Sequence, residues 1–338
     1  MTAKLMNGRS ALLVGSLAAI GGYCAYIQKV EKRSVRSKMA EITIGKSPAK
    51  NVMSDPDKFN WFIQEKREKS YTSYSIPISM KMKADVRKTK TDGMPVYSVR
   101  SHTRPATVNS HKRHVFYIPG GGYVMQPHKR HWRFLRKLAK EAGWDSTVPI
   151  YPTVPNHTYE ESFRKVLAQY KKLLLEVPAE KIVLMGDSAG GGFALAIAQQ
   201  LKKEGLPQPG DLVLLSPWLD ASMSDPRQIE LEKIDPYLSR YGLKKLGDLW
   251  AGPRGDSGNP FVSPINGDLR GLAQITVLTG THTLLLTDAR NLKDRMARAG
   301  VDIQYYEYPK MTHGFMLYPL IPEADAAVNQ LISAVNRQ

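Results

Sequence analysis

Cysteine is almost absent. The 338-residue chain has one, Cys24, which excludes an intrachain disulfide and a cysteine metal cluster. Metal-ligand spacings such as His-Glu-x-x-His are also missing, so neither a metal nor a cofactor is expected. No internal repeat or low-complexity tract is visible. Acidic residues are scarce, 31 against 48 Lys and Arg, for a net charge of +17. The deficit is local. Residues 1–115 hold 22 basic and eight acidic side chains, while residues 116–338 hold 26 and 23. A nucleic-acid-binding protein carries its basic footprint on the fold itself; here the body is nearly neutral, and no nucleic-acid partner is expected. With 42% hydrophobic and 23% charged residues, the chain is not a disordered one either.

One long uncharged run is present, the 19 residues from Ser10 to Gln28. A membrane-crossing helix needs roughly 17–25 such residues, so an N-terminal membrane helix over residues 1–29 is expected, with membrane lipid as a partner. A cleaved signal peptide, with Lys4 and Arg9 as its positive end, is the competing reading, and a buried helix is the third. Lys29, Lys32, Arg33, Arg36 and Lys38 follow the run. By the positive-inside rule they point to a membrane-associated protein whose catalytic domain is cytoplasmic. Residues 30–95 then form a basic arm, with an amphipathic helix expected over Asp57–Tyr74.

From residue 96 to the end, short apolar runs alternate with helical stretches. Strands are expected at Val115–Ile118, Thr147–Ile150, Lys181–Met185, Leu212–Leu215, Ile275–Leu278 and Ile303–Tyr308. Helices fall between them at Trp132–Ala142, Phe163–Leu175, Gly191–Lys203 and Asp288–Ala299. This order implies a mostly parallel central sheet flanked by helices, an α/β class. Residues 217–272, rich in Pro, Gly and Asp, interrupt the alternation as an excursion over one end of the sheet.

Gly186-Asp187-Ser188-Ala189-Gly190 directly follows a strand and precedes an apolar helix. A sharp strand-to-helix turn exposes its central side chain above the sheet and needs small neighbours to close, so the segment reads as a nucleophile elbow centred on Ser188. A phosphate loop fits less well, because the Gly-Lys-Ser/Thr ending is missing. Pro119-Gly120-Gly121-Gly122-Tyr123 follows another strand. Consecutive glycines leave N–H groups unobstructed, as an oxyanion hole requires. His128 and His131 sit after that loop and read as a solvated helix start.

These residues, with Tyr151-Pro152, Ser216-Pro217-Trp218-Leu219-Asp220 and Met311-Thr312-His313-Gly314-Phe315, make the chain from residue 96 onward resemble the hormone-sensitive-lipase-like esterases of the α/β-hydrolase fold, which carry a helical cap. The resemblance implies Ser188 as nucleophile, His313 as general base, and the N–H groups of Gly121, Gly122 and Ala189 as the oxyanion hole. Two positions depart from the family pattern. Pro119 stands where a His usually precedes the glycines. Thr283, in Gly280-Thr281-His282-Thr283, occupies the usual place of the triad acid. A threonine cannot supply the charge that stabilises an imidazolium. Asp288 is the nearest alternative acid, although it reads first as a helix N-cap; Asp220 is among the other carboxylates open to that role.

The expected function is a serine carboxylesterase or lipase-like hydrolase acting on a small-molecule ester through an acyl-enzyme. A catalytically impaired hydrolase fold acting as a membrane-tethered binding or scaffold protein is the alternative that Thr283 and Pro119 motivate.

Overall fold

The structure, a computed structural model, describes residues 20–77, 85–100, 112–253 and 255–336. Its strands are β1 (Asp85–Thr91), β2 (Met94–Arg100), β3 (His114–Ile118), β4 (Asp145–Pro149), β5 (Ile182–Asp187), β6 (Asp211–Leu215), β7 (Gln274–His282) and β8 (Gln304–Thr312). They form one sheet in the order β1-β2-β4-β3-β5-β6-β7-β8. From β4 across to β8 every pairing is parallel. β5 and β6 are buried along their whole length, which is why their sequences read as unbroken runs instead of alternating.

Sequence reading missed the antiparallel edge, where β1 pairs with β2 and β2 with β4. Their turn is Asp92-Gly93, both at positive φ (48° and 76°), a pairing that suits a tight hairpin. β1 and β2 therefore join the sheet across the boundary expected at residue 96.

Ten helices are named here: α1 (Val35–Gly45), α2 (Ala49–Ser54), α3 (Pro56–Arg67), α4 (Lys129–Ala142), α5 (Tyr159–Leu174), α6 (Ala189–Lys203), α7 (Gln228–Ile234), α8 (Arg240–Ala251), α9 (Leu286–Arg298) and α10 (Pro322–Val335). Phe163 and Val166 of α5, Leu195 and Leu201 of α6 and Leu292 of α9 fill the core on one face of the sheet. Leu135 and Leu138 of α4 and Val328 and Leu331 of α10 fill the core on the other. The helix expected over Asp57–Tyr74 is shorter. Asp55 caps α3 by accepting from the N–H groups of Asp57 and Lys58, and Phe59 and Ile63 are its buried face. After Arg67 the chain leaves the helix for a separate 3-10 turn at Tyr71–Ser73, with Ser70 accepting from the Thr72 N–H.

α7 and α8 lie in the 217–272 excursion, and α8 packs on α2 of the N-terminal arm. The approach is close enough that a Cβ on Gly242 would lie 2.6 Å from the Met53 carbonyl oxygen.

The membrane expectation is corrected here. Residues 10–19 of the expected span lie outside the described residues, and residues 20–29 are helical. Among the described residues no helix is long and apolar enough to cross a membrane, which overturns the single-span localisation and the cytoplasmic orientation drawn from it. The physical reason lies in how the segment's groups are used. Ile27 is buried. Arg33, counted as part of a lipid-facing basic flank, is also buried: it pairs with Glu31 at 2.6 Å and Glu41 at 2.7 Å and donates to the Lys310 carbonyl. Lys38 is drawn to Glu41 as well. These cations are neutralised within the protein.

Candidate active site

Ser188 connects β5 directly to α6 with φ 53° and ψ −124°. A non-glycine residue in such a region costs about 1–3 kcal/mol and persists only where its surroundings hold it. The Ser188 N–H donates to the Leu215 carbonyl on β6 (2.9 Å), and its carbonyl accepts from the N–H groups of Gly191 (3.0 Å) and Trp218 (2.9 Å). The flanking glycines are required by close packing. A side chain on Gly186 would run into the Gly190 carbonyl, and one on Gly190 into the Ile118 carbonyl.

The glycine loop leaves β3 one strand away. Gly120 approaches the elbow so closely that a Cβ there would lie 2.5 Å from both the carbonyl and the Oδ2 of Asp187. Its N–H donates to Asp187 Oδ1 at 2.9 Å. Tyr117 Oη donates to the same oxygen at 2.6 Å, and His131 Nε2 lies 3.3 Å from Oδ2. Tyr151 Oη donates to the Pro119 carbonyl at 2.8 Å, and Tyr123 stacks on Trp250 at 4.2 Å. Pro119 thus does not leave the loop unsupported. His131 is not the solvated residue that its charged neighbours suggested: it is buried, and it closes a capping box with His128 at the start of α4. Those contacts with His131, Tyr117 and Gly120 hold the Asp187 carboxyl near 2 despite its burial.

His313 follows β8, where Gly314 turns the chain at φ 61°. It lines the same cavity as Ser188, Gly121 and Gly122, a space of about 310 Å³. Ala189, at the first position of α6, is fully buried beside Ser188. Burial lowers the pKa of His313, while the charges of Asp235 and Asp187 act in the opposite direction. The group beside its Nδ1 is Thr283, whose Oγ1 lies 3.3 Å away. The Leu285 N–H donates to the same oxygen at 3.3 Å.

Asp288 is elsewhere. Its Oδ2 accepts from the N–H groups of Leu219 (2.6 Å) and Asp220 (3.0 Å), and Thr287 donates to Oδ1 (3.3 Å). It lies in the first turn of α9, whose N-cap is Leu285. Neither sequence role describes it: it ties α9 to the Trp218–Asp220 loop. Burial pushes its carboxyl up to about 7. Asp220 is engaged locally, accepting from Ser222.

Two residues near the site escaped sequence reasoning. Asp187 was visible only as the variable position of the elbow. Asp235, between α7 and α8, carried no motif at all; the sole cue was an Asp-Pro step that ends a short helix.

Comparison with known proteins adds an independent line. Residues 115–317 match a family described by the alpha/beta hydrolase fold. An acetyl-hydrolase from Streptomyces hygroscopicus is 29% identical over 227 residues, 67% of this chain and 75% of that protein. An esterase from Acinetobacter venetianus is 28% identical over 216 residues, 63% of this chain and 71% of that one. The crystal structure of a hormone-sensitive lipase from a metagenome library superposes with a TM-score of 0.69 at 26% identity, covering 83% of this chain and 97% of the other.

Proposed function

The chain belongs to the α/β-hydrolase family, in its hormone-sensitive-lipase-like esterase branch, and from that premise we propose that Ser188 is the nucleophile and His313 the general base. The protein is a serine carboxylesterase or lipase-like hydrolase. Relatives named for ester hydrolysis favour turnover over the scaffold alternative. The observation that carries the residue assignment is the shared cavity: a strained serine at an elbow, two glycines of the loop and a histidine all line it.

In this reading His313 Nε2 takes the proton from Ser188 Oγ as that oxygen attacks the ester carbonyl. The N–H groups of Gly121, Gly122 and Ala189 receive the developing oxyanion, Ala189 doing so at a helix N-terminus. Collapse of the intermediate expels the alcohol, which regains the proton from His313, and water then cleaves the acyl-enzyme by the same route. α2 and α3 of the N-terminal arm and part of the 217–272 excursion act as the cap, since Met53 and Phe62 from the first and Leu243 and Leu246 from the second line the cavity. With about 310 Å³ available and an acetyl-hydrolase among its relatives, short acyl esters are the substrates to try first.

Ser188→Ala is expected to abolish hydrolysis of p-nitrophenyl acetate by the purified protein. Equal turnover with and without the change contradicts the mechanism.

A further inference from the structure

The acid is missing from its usual place, yet a buried carboxylate stands directly behind that place. Asp235 is 1% exposed. Its Oδ2 accepts from the N–H of Leu284 at 2.7 Å, the residue after the Thr283 that meets His313 Nδ1. Its Oδ1 accepts from the N–H groups of Tyr237 and Leu238 (2.8 and 2.9 Å), and those two residues line the cavity. Lys50 of α2 holds the Asp235 carbonyl at 2.5 Å and bonds the Glu232 carbonyl as well. The carboxylate is therefore fixed from both sides, by the cap and by the turn after β7.

We propose that the two tasks of the missing acid are divided: Thr283 orients His313, and Asp235 supplies the negative charge that stabilises its imidazolium. Asp235 is a positioning residue in this scheme, acting through His313 and never touching substrate. The inference rests on the reading of Ser188 and His313 as nucleophile and base.

Thr283 Oγ1 already receives the Leu285 N–H. A second hydrogen bond, from Nδ1–H, leaves the Nε2 lone pair free for the serine proton. Thr283 carries no charge, however, and an imidazolium formed in a buried pocket needs one nearby. The carboxylates acting on His313 are Asp235 and Asp187. Asp187 is already committed to Tyr117, Gly120 and His131. His128 at the N-cap of α4, Arg130 and His131 within it, and Tyr318 also line the cavity, and none of them is a carboxylate; Asp235 is the one left to answer His313. Burial raises the Asp235 carboxyl, and the charge of His313 lowers it, the reciprocal of the effect on the histidine. A purely local role, closing the turn before α8, accounts for Oδ1 but not for the reach of Oδ2 to Leu284.

The experiment is a double-mutant comparison. Rates of p-nitrophenyl acetate hydrolysis are measured across pH for wild type, Asp235→Asn, Thr283→Asp and the double variant, each with a thermal melt and with Ser188→Ala as control. Asp235→Asn should lower kcat about 10²-fold, less than the roughly 10⁴ lost when an acid in direct contact with the base is removed, while KM changes less than about threefold. The acid limb of kcat/KM should move to lower pH, because removing a nearby negative charge makes His313 easier to deprotonate. With Thr283→Asp in place, the same Asn change should lower kcat less than about tenfold. Equal losses in both backgrounds, or an unmoved acid limb, overturn the proposal. If Asn at 235 abolishes the folding transition, Asp235→Glu, which keeps but displaces the charge, is compared in the two backgrounds under the same criteria. Equal activity of Ser188→Ala and wild type defeats the underlying mechanism; an inactive Ser188→Ala with unaffected position-235 variants defeats only this inference.

Discussion

Thr283 Oγ1 lies 3.3 Å from His313 Nδ1, on the corner that follows β7. A neutral hydroxyl thus fills the position that the family resemblance gives to the triad acid. Thr283→Val keeps the volume and removes the hydrogen bond. One buried hydrogen bond is worth about 1 kcal/mol, so kcat is expected to fall roughly fivefold to tenfold with KM little changed. Steady-state kinetics on a nitrophenyl ester check this.

The pH profile gives a second test. A general base works when neutral, and burial lowers the pKa of His313 below its ordinary 6.5. Activity is therefore expected to hold at pH 6.5 and to decline only as pH falls further, through the depressed pKa. An acid limb of kcat/KM centred above pH 7 contradicts this placement of the base.

Asp288 is expected to be silent in the chemistry. The acid limb of Asp288→Asn should coincide with that of wild type, since its carboxylate serves Leu219 and Asp220. Its effect belongs to stability. A carboxyl raised from 3.8 to about 7 in the folded state contributes stability present below pH 4 and lost as pH rises through 7. The wild-type melting temperature, relative to that of Asp288→Asn, should accordingly decline between pH 4 and pH 7, as read by calorimetry.

Gly120→Ala probes the glycine loop. Its Cβ would lie 2.5 Å from two oxygens of Asp187 and 3.0 Å from the Cβ of Ser188. The loop must move away from the elbow, and Asp187 Oδ1 loses the Gly120 N–H. Losing one oxyanion donor typically costs roughly 10²–10³ in rate. A kcat loss of that order, with a lowered melting temperature, is the expected outcome.

Much of this molecule was legible in its sequence because its signals are local. Runs such as Leu212–Leu215 announce buried parallel strands, and the strand–Gly-x-Ser-x-Gly–helix order describes the elbow without further information. β1 was missed because its Arg, Lys and Thr residues belong to an exposed edge, although Asp92-Gly93 marked the turn. The basic flank after the N-terminal run was misjudged because a sequence does not distinguish a free cation from Arg33 held between two glutamates. His131 and Asp235 were illegible for a deeper reason. Each meets its partner, Asp187 or the Leu284 N–H, only across the fold, 56 and 49 residues away along the chain.

The central claim is that Ser188 is the activated nucleophile of an ester hydrolase. Its most direct test is labelling of the purified protein with a fluorophosphonate, followed by peptide mass spectrometry. The account predicts a single phosphonylated peptide containing Ser188, with ester turnover lost in proportion to labelling. An enzyme that keeps its ester turnover while Ser188 stays unmodified contradicts it.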